Sequence, residues 1–263
     1  MGVQSPHGGK LLKGKIGIVI PDQHIPLICP KARSVVLQAI DHIKPDIYIN
    51  LGDVGEWEEF SSHKRGKPLP LNVQLPEKVA AVKTVNKGLD KFDRVVDKYV
   101  SEKYMLCGNH DLWIDQWRDK EAPFLEEWNF VEQCRLEERG YQWKTYNDVF
   151  TLGKISFTHG MYHTMNHAKK HLDSFGTSVC YGHTHDVQRY SNSRLNDGAI
   201  GAWSMGCLKD MSPQANKWLR GRLTRWSHAF GIVTWFVGGN FQLDVIDIID
   251  GRSNVWGKVI EAK

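Results

Sequence analysis

The sequence predicts an α/β domain in which mixed β-sheets pack between helical layers. Three observations predict it. The chain opens with a strand–helix–strand alternation, continues with a long amphipathic stretch, and from Val149 onward changes to an apolar period of two.

The elements follow in order. Lys15 to Ile20 is a short β-branched run closed by Pro21, which reads as a buried strand entering a loop. Lys31 to Lys44 sets Val35, Val36, Ala39, Ile40 and Ile43 at helical spacing, and Pro45 stops that helix. Asp46 to Leu51 is a second apolar strand that runs into Gly52-Asp53. Together these form a βαβ unit, which implies parallel strands. Residues 55–75 are polar and without a period. From Pro76 to about Lys103, the residues Val79, Val82, Val85, Leu89, Phe92, Val96 and Tyr99 mark one long helix against a sheet. Tyr104 to Cys107 is a third strand, and Pro123 to Arg139 reads as a helix with Gly140 after its end. Val149–Leu152 and Lys154–Thr158 form a hairpin turning at Gly153, and Thr177–Tyr181 is a further strand. Ala229–Val237 and Phe241–Ile249 flank a Gly-Gly-Asn turn, a hairpin signal. Residues 1–14 read as a flexible N-terminus and 15–263 as a single domain.

Composition narrows the class. Hydrophobic residues at 41% and charged residues at 24% exclude disorder or a fibrous architecture for the whole chain. A net charge of +4 neither demands nor excludes a nucleic-acid partner. Five cysteines without a C-x-x-C argue against a disulfide framework or a thiolate zinc site, and favour a reducing cytoplasm. Apolar runs such as Ile16–Ile20 fall far short of the roughly 20 residues that span a bilayer. The N-terminal Met-Gly-Val-Gln-Ser-Pro lacks an apolar signal core, and its Ser falls one place early for myristoylation. The expectation is a cytoplasmic protein with no membrane association and no obligate protein partner.

The polar residues carry the chemistry. Asp22-Gln23-His24, Gly52-Asp53, Gly108-Asn109-His110-Asp111, Thr158-His159-Gly160 and Gly182-His183-Thr184-His185 each follow a predicted strand. Ligands of open α/β sheets bind beyond the carboxyl ends of strands, so five such ends can converge on one pocket. Carboxylate, amide and imidazole donors without thiolate select manganese, iron(II), zinc or similar ions. Eight candidate groups are too many for one tetrahedral ion. They suit two ions sharing a carboxylate and a water, which activate that water as hydroxide and clamp a phosphate. Each motif also has a plainer reading: Asp-x-His as a polar turn, Gly-Asp as an ordinary turn or cap. Gly-Asn-His-Asp and Gly-His-Thr-His are far more specific, and the five in this order outweigh the plainer readings.

These five elements resemble the calcineurin-like metallophosphoesterase superfamily, whose pattern is D-x-H, G-D, G-N-H-[DE], H and G-H-x-H. The resemblance spans Asp22 to His185. It implies a four-layer α/β/β/α sandwich of two mixed sheets flanked by helices, and hydrolysis of phosphoester bonds by a metal-bridged hydroxide. Asp22, His24 and His185 match the terminal ligands of one metal, Asp53 the bridging carboxylate, and Asn109, His159 and His183 the ligands of the second. His110 matches the non-ligand histidine that contacts the scissile phosphate and protonates the leaving oxygen; Asn109 and His110 are thus also substrate-binding. The cofactor expectation is two divalent ions, manganese first, with iron, zinc, nickel or cobalt as alternatives.

One departure is informative. The serine/threonine phosphatase branch reads G-D-x-x-D-R-G, whereas this chain reads Gly-Asp-Val-Gly-Glu-Trp, without that Arg. Glu56 is then either a catalytic-site residue that orients His110 or a solvated loop acid, and Asp111 either a site residue or a helix cap. A protein-phosphatase reading loses weight.

Three basic stretches are candidates for contact with substrate. They are Ser61–Lys67 with His63, Lys64, Arg65 and Lys67; Met161–His171 with His163, His167, Lys169, Lys170 and His171; and Trp203–Trp226 with Lys209, Lys217, Arg220, Arg222 and Arg225. In the last, Trp218 and Trp226 interleave with the basic residues, as in a groove for single-stranded DNA or RNA in which Lys217, Arg220 and Arg222 hold phosphates. The plainer reading makes both tryptophans core. The leading function is a phosphodiesterase acting on nucleic acid or nucleotides. The alternatives are a phosphomonoesterase for small molecules or phosphoprotein, and a catalytically inactive metal-binding interaction protein.

Overall fold

A computed structural model describes residues 12–62, 69–194 and 198–263. Thirteen strands, five α-helices and two short 3-10 helices are assigned among them.

The first half builds one sheet. Strands β1 (Ile16–Ile20), β2 (Ile47–Asn50) and β3 (Glu102–Leu106) lie parallel, joined by helices α1 (Pro30–Ile43) and α2 (Leu71–Val96). Helix α1 starts on Pro30 at a position that needs no N–H, and buries Val35, Val36, Ala39, Ile40 and Ile43. Lys44 closes it in a left-handed conformation, with its N–H on the Ile40 carbonyl. Helix α2 begins at Leu71, five residues before the expected Pro76. That proline lies within the helix and removes one main-chain donor. It ends at Val96 rather than near Lys103, because tight turns onto the Val96 carbonyl and a Ser101 bond to Asp46 redirect the chain into β3.

The expected helix over Pro123–Arg139 is corrected. Only α4 (Phe130–Gln133) is helical there, and the longer helix is α3 (Leu112–Glu121), which buries Ile114 and Trp117. Strand β4 (Tyr141–Lys144) adds in parallel to β3. The Gly-Gly-Asn hairpin, β10 (Ala229–Trp235) and β11 (Phe241–Asp247), joins antiparallel to β1 and completes a mixed six-stranded sheet in the order β11-β10-β1-β2-β3-β4.

The second sheet comprises the hairpin β5 (Phe150–Leu152) and β6 (Ile155–Thr158), then β7 (Ser178–Tyr181), β8 (Val187–Arg194) and β9 (Gly198–Met205), in the order β5-β6-β7-β9-β8. It is mixed as well: β6, β7 and β9 are parallel, and its two edges are antiparallel. Helix α5 (His167–Phe175) covers its outer face, and a terminal hairpin, β12 (Arg252–Val255) and β13 (Lys258–Glu261), packs on α1.

Three apolar clusters separate the layers. One lies between α1, α2 and the six-stranded sheet. A second lies between the sheets, where Val19, Ile47, Ile49, Leu106 and Trp235 meet Leu152, Phe157 and Trp203. The third lies between the five-stranded sheet and α5. Helices therefore flank two face-packed sheets, the four-layer arrangement expected. Of the N-terminus expected to be flexible, residues 1–11 lie outside the described residues, and Leu12 packs in the intersheet cluster. No helix among the described residues is long and apolar enough to cross a membrane.

Candidate metal centre

The carboxyl ends of strands from both sheets meet at one edge of the sandwich. Asp22 and His24 follow β1, Asp53 follows β2, Asn109 and His110 follow β3, His159 follows β6, and His183 and His185 follow β7. Main-chain bonds stitch these loops together. The N–H groups of Gln23 and His24 donate to the Asp53 carbonyl at 3.0 and 2.9 Å, Gly182 donates to His159 at 2.8 Å, and Leu208 donates to Asp22 at 2.8 Å. Buried loops need such partners for their backbone polar groups.

The backbone itself is unusual here. His24, Asp53, His183 and His185 have φ of 49°, 49°, 71° and 62°. Non-glycine residues seldom enter this left-handed region, which costs of order 1 kcal/mol or more each and concentrates at functional sites. Two glycines make room for the carboxylates. A Cβ on Gly108 would lie 2.1 Å from Asp53 Oδ1, and one on Gly182 would lie 2.5 Å from Asp22 Oδ2.

Side-chain donors gather accordingly. Asp22, His24 and His185 form one set whose ligand atoms lie within 4.8 Å of one another; Asp53, His159 and His183 form a second, and His24, Asp53 and His110 a third that links them. Asn109 joins the second set, its Oδ1 lying 3.1 Å from His159 Nε2.

Hydrogen bonds aim the imidazoles. His159 donates Nδ1–H to the Leu51 carbonyl at 2.8 Å, which leaves Nε2 facing Asn109 and, at 3.4 Å, Asp53. His24 Nδ1 lies 2.8 Å from Glu56 Oε2, and its Nε2 lies 3.0 Å from His185 Nε2. Two facing imidazole lone pairs at that distance repel unless a proton or a cation lies between them. The Asp22 carboxylate accepts the His183 N–H at 2.9 Å, and Asp53 Oδ1 accepts the His110 N–H at 2.8 Å.

The electrostatics match a site built for cations. Burial pushes the Asp22 carboxyl well up, with the Asp53 charge adding and His159 opposing. Burial opposes the charge on Asp53 too, but His159 and His110 outweigh it and hold that carboxyl well below its usual range. Burial lowers His24 and His183 to about 4 and holds His185 well below its usual range, so these rings are neutral and free to ligate at pH 7. His159 alone is driven up, because Asp53 and Asp22 overcome its burial. A buried carboxyl short of positive charge, neutral imidazoles and a lone amide oxygen form a nitrogen and oxygen donor set that fits two divalent ions.

Glu56 does two separate things. Its main-chain carbonyl accepts Nδ1–H of His110 at 2.8 Å, while its carboxylate reaches His24 Nδ1 at 2.8 Å and the ammonium of Lys209 at 2.7 and 2.9 Å. Burial favours the neutral acid, but the His24 bond and Lys209 outweigh it and hold the carboxyl at about 2. Glu56 is therefore no solvated loop acid, and it is its backbone that touches His110. Asp111 sits at the start of α3 without capping it. Instead it is buried and accepts from Gly108 N–H, Val54 N–H and the Trp57 indole at 3.0, 3.1 and 2.8 Å, tying the Gly-Asp loop to the Gly-Asn-His-Asp loop.

Outward from the donors lies a cavity of ≈ 430 Å³ walled by Trp113, Trp218, Trp226 and Lys209. A neighbouring cavity of ≈ 520 Å³ shares His183, Trp218 and Trp226 with it and adds His163 and Arg225. Of the tryptophans in question, Trp218 is exposed and Trp226 half-buried, its ring 4.7 Å from that of His185. Neither is core; Trp203 is. Lys217, Arg220 and Arg222 are exposed on the same segment but outside the two linings, where Arg225 stands instead. In the second basic stretch, His167 and His171 are buried in α5, while Lys169 pairs with Asp173 at 2.5 Å on the surface. His63, Lys64, Arg65 and Lys67 lie outside the described residues. Lys209, grouped with the basic stretch by sequence, is 2% exposed and engaged with Glu56. Only the apolar Cys207-Leu208 before it hinted at burial.

No family model matches the chain. It is similar along nearly its whole length to the Gene 54 protein of Mycobacterium phage D29, at 27% identity over 257 residues, covering 93% of this chain and 98% of that protein. The Gene 54 protein of Mycobacterium phage L5 is similar at 26% over the same length and coverage. Among solved structures, Chaetomium thermophilum Vps29 matches with a TM-score of 0.44 and 11% identity, over 95% of this chain and 97% of that one. The phosphoesterase Yfce from E. coli matches with a TM-score of 0.37 and 15% identity, over 94% and 100%.

Proposed function

We propose that this chain is a two-metal phosphoesterase that cleaves phosphodiesters of nucleic acid or nucleotides. The supporting observation is the pair of ligand sets linked through Asp53 at the meeting point of both sheets. When bound, two divalent ions supply an activated water and neutralise charge on the phosphoryl oxygens. In this reading Asp22, His24, Asp53 and His185 hold one ion, and Asp53, Asn109, His159 and His183 hold the other.

The remaining work falls to the chain itself. The Glu56 carboxylate fixes the His24 ring through Nδ1, as carboxylate–histidine pairs commonly do for metal ligands. His110 keeps its Nδ1–H on the Glu56 carbonyl, so in the imidazolium the proton on Nε2 is the one given to the leaving oxygen. Asn109 and His110 contact the phosphate. The diester preference is supported by the walls. The lysine of the cavity wall is already engaged by Glu56, so beyond the ions that wall adds no extra charge for the second negative charge of a monoester, and tryptophans offer apolar surface to ester arms on either side.

The test is turnover by metal-stripped protein reloaded with manganese. Faster hydrolysis of bis-p-nitrophenyl phosphate than of p-nitrophenyl phosphate is expected. The reverse order would favour a phosphomonoesterase. Two bound ions with no turnover of any phosphoester would leave a metal-binding interaction protein.

A further inference from the structure

We infer that Trp218 and Trp226 form a base-stacking platform beside the metal centre, which makes single-stranded polynucleotide the substrate class. The inference rests on the phosphodiesterase reading and specifies it.

Trp226 is anchored by its backbone. It bridges antiparallel to Asp186, and the next residue, Ser227, donates its N–H to the His185 carbonyl at 2.9 Å. The indole is thus held one residue from a metal-ligand candidate. Trp218 lies 6.1 Å from it, ring centre to ring centre, at 47°, and is 53% exposed. An indole that leaves half its surface in water at the mouth of a cleft is poorly explained by packing alone. Both rings line both cavities, so they stand at the junction of one groove that begins at the metal centre and continues past Arg225.

Charge favours a polyanion. Between Lys217 and Trp226 the chain carries Lys217, Arg220, Arg222 and Arg225 and no acidic residue, and all four are exposed. A strand whose phosphate sits at the metals would lay the adjoining base on the indoles and its further phosphates along these cations. Base stacking on aromatic rings combined with a basic track is the chemistry of single-strand binding, and it tolerates any base. Within a duplex the faces of the bases are covered by neighbouring pairs, leaving only the ends open, which is why the occupant is single-stranded.

The experiment compares ligands of equal charge, the duplex being half the length of the single strands so that its phosphate number matches theirs. Fluorescent oligothymidylate, oligouridylate, an abasic oligonucleotide of the same length and a blunt duplex are titrated onto the full chain in chelator, where nothing is cleaved, and binding is read by anisotropy. The single strands should bind at least about tenfold more tightly than the abasic strand. Trp218→Ala should remove most of that difference, while abasic binding stays the same. Equal binding of abasic and normal strands, an unchanged preference in Trp218→Ala, or tighter binding of the duplex would overturn the inference. Trp226→Phe guards against a role confined to supporting His185: it should weaken oligonucleotide binding in chelator, and a loss confined to metal affinity would count against the platform. Turnover of bis-p-nitrophenyl phosphate by the manganese-loaded wild type is measured in parallel. Its failure sinks the underlying phosphodiesterase reading, whereas turnover without base-dependent binding sinks only this one.

Discussion

His110 Nδ1 lies 2.8 Å from the main-chain oxygen of Glu56, while the carboxylate of the same Glu56 turns to His24 and Lys209. One residue therefore holds a metal-ligand candidate by its side chain and the acid candidate by its backbone. The two functions can be separated by mutation, because changing the side chain leaves the carbonyl in place.

His110→Ala should keep both metals and lose about 10²–10⁴ in kcat, the usual worth of a general acid. The loss should be smaller for p-nitrophenyl esters, whose leaving group needs no proton. Metal content by elemental analysis, set beside kcat for an oligonucleotide and a dye ester, checks both halves. Loss of metal would instead make His110 a ligand.

Glu56→Gln should weaken metal binding at the His24 site by about 10–100-fold, the typical cost of losing a ligand-orienting carboxylate. Glu56→Ala should also destabilise the fold by about 3–5 kcal/mol, since it strands the Lys209 ammonium at 2% exposure. Pairing Glu56→Leu with Lys209→Met should recover the stability but not the metal affinity. Urea melts and metal titrations on the same samples read the two effects apart.

Gly108→Ala should abolish metal binding through Asp53. The added methyl would stand 2.1 Å from Oδ1 and 2.3 Å from the main-chain nitrogen of Asp53, closer than any contact allows, so Asp53 must shift, backbone and carboxylate together. The three nearest atoms all belong to Asp53, so the clash is local and the far-ultraviolet circular dichroism should be retained. A variant that binds two ions as the wild type does would contradict the carboxylate position described.

Stability should fall in acid through His171, outside the ligand set. Its Nε2 accepts the Met161 N–H at 3.0 Å, Nδ1–H donates to the His167 carbonyl at 2.8 Å, and its ring stacks 3.7 Å from that of Tyr181. Burial lowers its pKa from 6.5 to about 4. Between those values the unfolded chain binds more protons than the folded one. The contribution is therefore whole above pH 6.5 and lost as pH falls toward 4. It amounts to on the order of 2 kcal/mol. In metal-free protein, His171→Gln should lose less stability than wild type between pH 7 and pH 4.5, by urea melts. Parallel losses would place the acid sensitivity elsewhere.

The strand-end motifs were legible because glycine and polar residues follow short apolar runs, a pattern any buried strand leaves in the chain. Helix α1 was legible from the helical spacing of Val35, Val36, Ala39, Ile40 and Ile43 and from the stop at Pro45. The helix expected over Pro123–Arg139 was not formed, because its caps promised more than its apolar spacing delivered. Helix α3 hid behind Asp111, whose side chain turns inward to Gly108 and Trp57 instead of marking a helix start. Lys209 read as one more surface cation. Its tie to Glu56 spans 153 residues and exists only once both sheets are in place. Trp218 and Trp226 were read as either core or groove, and only their exposure distinguishes the two.

The positive φ of His24, Asp53, His183 and His185 also limits which residues can stand at these four places. A residue with a branched Cβ is rejected at these places by backbone shape before its donor atoms are ever tried. Glycine, asparagine and aspartate pass most easily. Laboratory selection for a different ion at these positions therefore has a short alphabet to work with, and transplanting the donors onto an extended loop would carry over the chemistry without the conformation that presents it.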